Sequence, residues 1–154
     1  MHTQAVDKIV ALARQSVKET HKDLLESYLV GFCGGLPQST LQESETRALF
    51  SFLMDRFAFL EEDLDRPVKV RISKCNDEVQ FDSGSGTVIE TRMHDAAFIV
   101  KTLQSFLRFN HIKILVGVHD IFGLEIDSDG EIVNIDASEI GRAPGRERGD
   151  VPVG

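Results

Sequence analysis

Residues 87–136 read TVIETRM (87–93), HDAAFIVKTLQSFLRFN (94–110), HIKILVGVH (111–119), D (120) and IFGLEIDSDGEIVNID (121–136), and they decide the fold. Val88 and Ile89 place a strand over Thr87–Arg92 with at least one buried face. Asp95 stands where an N-cap belongs, ahead of a stripe of Phe98, Ile99, Leu103, Phe106 and Leu107 at helical spacing. Lys101, Gln104 and Arg108 take the wet side, and Asn110-His111 ends the helix, since Asn tolerates the left-handed region. Ile112, Ile114, Val116 and Val118 alternate strictly and predict a second strand, with Leu115 and Gly117 adding partial burial on its other face. Asp129-Gly130 then predicts a hairpin joining Leu124–Asp127 to Ile132–Ile135. Strand, helix, strand and hairpin in that order describe an α+β unit, a small sheet covered by one helix.

Upstream, Val68, Val70 and Ile72 alternate with Lys69 and Arg71, a half-buried strand that begins after Pro67 has closed the helical part. Three helices precede it. Val6, Ile9, Val10, Ala13 and Val17 line one face of the first, from Gln4 to about Glu19. Thr20, with Asp23 three residues later, caps the second, which carries Leu24, Leu25, Tyr28, Leu29 and Phe32 and stops at Gly34-Gly35 through positive φ. Leu36-Pro37 is a connector. The third, capped by Ser39 or Ser44, has an apolar side of Leu49, Phe50, Phe52, Leu53, Phe57 and Leu60 that is too wide for one contact surface. Residues 82–86, DSGSG, lack the Lys-Ser/Thr ending of a phosphate loop and read as a connector. The last fourteen residues hold four Gly and two Pro and read as a linker. The expected organisation is a helical segment at 1–64, an α+β module at 65–140 and a tail at 141–154.

In 154 residues, 42% hydrophobic and 27% charged content are ordinary for a globular domain and exclude wholesale disorder. Twenty-five acidic against 17 basic residues leave a net charge of −8, which argues against nucleic acid as a partner, because that affinity rests on Lys and Arg at phosphates. No apolar run approaches the ~20 residues a bilayer needs, so no membrane partner is expected, and no leader pattern is visible. Cys33 and Cys75 are far apart and read as buried free thiols, with a cytoplasmic location as the default.

Candidate chemistry is sparse. Asp127, Asp129 and Glu131 around Gly130 suggest a calcium loop, but the spacing of its remaining ligands is missing and a hairpin accounts for them. His94, His111 and His119 would make a metal centre only if the fold brings them together, which would suit a small standalone metal-dependent enzyme. No nucleophile elbow, dinucleotide fingerprint or Walker loop is present. A pure protein-interaction module is the third reading.

The stretch 87–136, together with HKDLLESYL at 21–29 and the helix through Ser51-Phe52, resembles the amino-terminal region of the large NAD-specific glutamate dehydrogenases of bacteria. The resemblance lies in a strand, a polar turn with an acidic residue, a helix opening near Phe98, a strand ending in His119 and an Asp-Gly hairpin. Asp120 stands where that family usually has Pro, so any role of that turn is not carried over. The resemblance implies an ACT-like (ferredoxin-like) antiparallel sheet with a covering helix, lacking its second helix and last strand. It further implies a non-catalytic regulatory or oligomerisation domain with no cofactor of its own, NAD belonging to the parent enzyme. The implied partners are a second copy, the remainder of the parent chain and an amino-acid ligand. The place for that ligand is the strand-to-helix junction at His94, Asp95, Ala96 and Ala97, where helix-start N–H groups would face a carboxylate.

Overall fold

The computed structural model describes residues 4–17, 21–81, 86–119 and 121–136. The element order is α1 (Gln4–Ser16), α2 (Lys22–Gly35), α3 (Gln38–Glu43), α4 (Thr46–Glu61), β1 (Val68–Lys74), β2 (Thr87–Met93), α5 (Ile99–Phe109), β3 (Gly123–Ile126) and β4 (Ile132–Asp136). This is an α+β chain. Its strands form two separate antiparallel pairs, β1 with β2 and β3 with β4. The Thr20 cap, the 82–85 part of the connector, Asp120 and the tail expected at 141–154 lie outside the described residues.

The core is built by helices and one hairpin. Ile9 and Ala13 of α1, Leu25, Leu29 and Cys33 of α2, Leu49, Leu53 and Phe57 of α4, and Ile132 and Ile135 of β4 are buried in one cluster. Burial of so many aliphatic side chains is the dominant stabilising term, at roughly 1.5–3 kcal/mol each before entropy is counted. Tyr28 sits at the middle of an aromatic group, with ring centroids 5.0 Å from Phe57, 5.6 Å from Phe122 and 5.7 Å from Phe32. Those offset distances are the ones aromatic pairs favour.

Several local expectations are corrected. Gly34 and Gly35 do not stop α2 by positive φ; the chain leaves the helix at Leu36, held extended (ψ 148°) by the following Pro37. Gly35 is needed for a different reason: a Cβ there would stand 2.8 Å from Val118 Cγ1. The cap of α4 is neither Ser39 nor Ser44 but Glu45, whose carboxylate accepts from Ala48 N at 2.7 Å. Ser44 Oγ instead accepts from Gln80 N. Residues 112–118, expected as a strand, have no ladder partner among the described residues. They alternate as a strand does, but Val118 is drawn to the end of α2 instead of to a sheet edge.

The β3–β4 hairpin forms where expected. Gly130 adopts φ +83°, and Asp127 Oδ1 accepts from the backbone N–H groups of Asp129 and Glu131, both at 2.9 Å. Asp127 is thus spent on its own turn.

Candidate functional site

Strand alternation gives β1 and β2 two chemically distinct faces. Directly opposed pairs share a face, so Val68/Met93, Val70/Thr91 and Ile72/Ile89 lie on one side and Lys69/Arg92, Arg71/Glu90 and Ser73/Val88 on the other. Composition alone would put the Val/Ile side inward. The structure does the opposite: Val68, Val70 and Ile72 are 51%, 58% and 68% exposed, and Ile89 and Met93 39% and 40%.

Helix α4 explains the inversion. One stripe, Leu49, Leu53, Phe57 and Leu60, enters the core, while Phe52, Arg56 and Phe59 turn to the hairpin. Glu90 receives both cations: Arg71 Nε donates to Oε2 at 2.7 Å, and Arg56 Nε forms an ion pair with Oε1. Arg56 and Glu90 are 7% and 10% exposed. Asp55 closes the network, pairing with Arg56 and accepting from Arg71 at 3.1–3.2 Å. The Phe59 ring lies 4.8 Å from both the Lys69 ammonium and the Arg71 guanidinium, and Arg56 lies 4.5 Å from Phe52. Arg92 donates to the backbone carbonyls of Leu60 and Asp63, satisfying the end of α4. The hydrogen bond to Glu90 raises the affinity of Arg71 for its proton, and the Lys69 contact holds Glu62 below the usual carboxylate range.

Beyond β2, the junction differs from the expectation for Asp95. Helix α5 opens four residues later, with Phe98 as its N-cap residue in the left-handed region (φ 68°). Asp95 fails as cap because the preceding residues 95–97 stay outside helical geometry, whereas Thr102 N donates to Phe98 O to close the first turn. The free N–H groups of the helix start therefore belong to Ile99, Val100 and Lys101 and not to 95–97. His94, Asp95, Ala96 and Ala97 are all exposed. Helix α5 ends on a second left-handed residue, His111 (φ 57°). It is strongly amphipathic, yet none of its residues is buried, and Phe98, Phe106 and Phe109 are 72%, 61% and 84% exposed.

The metal reading finds no geometric support. Among the described residues, no group of three His, Cys, Asp or Glu side chains is placed to hold an ion, so His94, His111 and His119 do not converge. The same holds for Asp127, Asp129 and Glu131. Sequence reasoning missed the ion-pair network, although Glu62, Lys69, Arg71 and Glu90 were visible as alternating charges on two strand candidates and a helix end.

The model of one family, the glutamate dehydrogenase ACT1 domain, matches residues 28–150. The chain belongs to this family. The match opens at Tyr28, the centre of the aromatic group, and takes in α3, α4, both strand pairs and α5. The ACT1 domain is accordingly a regulatory domain of glutamate dehydrogenase. No curated protein and no solved structure matched the chain. Among the described residues no helix is long and apolar enough to cross a membrane.

Proposed function

We propose that this ACT1 domain is a non-catalytic sensing and oligomerisation module of a large NAD-dependent glutamate dehydrogenase, cytoplasmic, and without a cofactor of its own. The family match over residues 28–150 carries the reading. NAD and the chemistry belong to the remainder of the parent chain, which is one partner; a second copy is the other. The ligand is an amino acid at His94–Ala97. Supporting that placement, Asp95 is an exposed carboxylate able to receive an ammonium group. The unspent N–H groups of Ile99, Val100 and Lys101 follow within one turn and suit a carboxylate. Small side chains at Ala96 and Ala97 leave the approach open.

Titration calorimetry of the chain against a panel of amino acids tests the sensing role. Heat from one or a few amino acids, abolished by Asp95→Ala, is the expected result. No heat from any of them removes sensing and leaves the oligomerisation role.

A further inference from the structure

Most cavities and clusters in the molecule are accounted for by the fold. One shallow cavity lies between α1 and α2, lined by Val6, Val10 and Val30 with the exposed Arg14–Glu26 pair at its rim. The outer face of the β1–β2 hairpin is different: a mainly apolar surface of Val68, Val70, Ile72, Ile89 and Met93, with Thr91 in its middle and Lys74 opposite Thr87 at one end, on a strand pair whose polar side is already engaged.

We propose that this face binds the same face of a second copy, with the exposed side of α5 completing the contact. The inference rests on the oligomerisation part of the function proposed above and names its surface. Three observations carry it. First, the face is self-complementary in shape. Its middle row, Val70/Thr91, is small, and larger rows, Val68/Met93 and Ile72/Ile89, flank it on both sides. A two-fold axis through the middle row sets the large end of one copy beside the large end of the other without a clash at the centre.

Second, the area fits. From their fractional exposures, the five apolar residues of the face offer roughly 400 Å² at about 150–200 Å² for a fully exposed large side chain. That is about half of the ~800 Å² that each partner contributes to a stable interface. Phe98, Phe106 and Phe109 supply a similar further amount, roughly 400 Å². Phe98 is five residues from Met93, so the two areas are joined by the chain, and Phe106 and Phe109, three residues apart, share one side of α5 with Phe98 at its start.

Third, charge does not oppose the contact. The rows at and beside the axis carry no ionised side chain, because Lys69, Arg71, Glu90 and Arg92 are all turned to α4. The one charge on the face, Lys74 opposite Thr87, lies two rows from the axis, so the Lys74 side chains of the two copies sit at opposite ends. Two negatively charged copies can therefore meet here without opposing charges across the axis.

Light scattering after size exclusion, on the full chain without ligand, is the test. A particle of twice the chain mass is expected at micromolar concentration. Val70→Asp places like charges at the axis and Ile72→Asp at its flank, and each weakens association roughly tenfold or more. Both side chains point to solvent in the single copy, so an unchanged circular dichroism spectrum shows that the fold is intact. A Val70→Cys variant, reacted with a short bismaleimide, gives a covalent dimer, since Cys33 and Cys75 are buried and do not compete. A monomeric wild type overturns the proposal, as does a dimer indifferent to both aspartates or a Val70→Cys chain that does not cross-link. A chain that dimerises in this way but gives no calorimetric heat keeps this interface and loses the amino-acid site.

Discussion

Removing the Glu90 carboxylate is the sharpest test of how the β1–β2 hairpin is held. Glu90→Ala leaves Arg56, 7% exposed, with Asp55 as its remaining carboxylate, and Asp55 is itself 53% exposed. Breaking a buried pair from one side costs about 3–5 kcal/mol, because the surviving charge stays desolvated. Arg71 is 27% exposed and keeps its bonds to Asp55, which places the expected loss near the lower end, about 3 kcal/mol. At a urea m-value of about 2 kcal/mol/M, the unfolding midpoint falls by roughly 1.5 M. Glu90→Gln, which keeps two polar contacts but no charge, loses less. The double variant Arg56→Met/Glu90→Leu recovers most of the loss, since no charge is then stranded. Urea titrations of the four proteins in low and high salt decide the matter. A loss under about 1 kcal/mol for Glu90→Ala, or one erased by salt, would refute the buried network, because that is how an exposed pair behaves.

Leu53→Ala, at a fully buried position of α4, should cost about 3–5 kcal/mol in the same titration, while Phe109→Ser at an 84% exposed position leaves monomer stability nearly unchanged. Burial pushes the Cys33 thiol up to about 11, so thiol-specific reagents at neutral pH label it only after denaturant is added. Backbone N–H groups of Arg47 and Ala48 hold the Glu45 carboxyl below the usual carboxylate range. The sign follows from that depression: its stabilising contribution is present above the ordinary Glu pKa and disappears as pH falls through the depressed one. Glu45→Ala therefore lowers the thermal midpoint at pH 7 and has no effect in strong acid, a difference that calorimetric scans across acidic pH will show.

Features specified by neighbours in the chain were legible in advance. Asp129-Gly130 determines its own turn, and the apolar spacings of α1, α2 and α4 emerged as the helical core. Features settled by distant residues were not. The alternation of Val68–Ile72 announces a strand but is silent on which face turns inward; Asp55, Arg56 and Phe59, on the preceding helix, decide that. Asp95 has the chemistry of a cap, yet capping needs its backbone at the helix start, and the helix begins at Ile99. Residues 112–118 have strand composition, but a ladder requires an open edge in reach, and Val118 is committed to Gly35. Residues His94–Ala97 are exposed, and the helix-start N–H groups expected at that junction belong to Ile99–Lys101, because α5 opens four residues after Asp95.

Helix α4 is joined to the helices and to the β1–β2 hairpin by different adhesives. Its seam with α1 and α2 is hydrocarbon, which loses cohesion on cooling, and its seam with the β1–β2 hairpin is ionic and aromatic. The desolvation penalty of ion pairs falls as temperature rises, so the second seam follows the opposite trend. The hairpin is thus held on the helical body mainly through charge and aromatic rings, with Val88 and the adjoining Cys75 as its share of the hydrocarbon core. In such a chain the outer layer is the part whose attachment answers to ions, temperature and contact with another molecule.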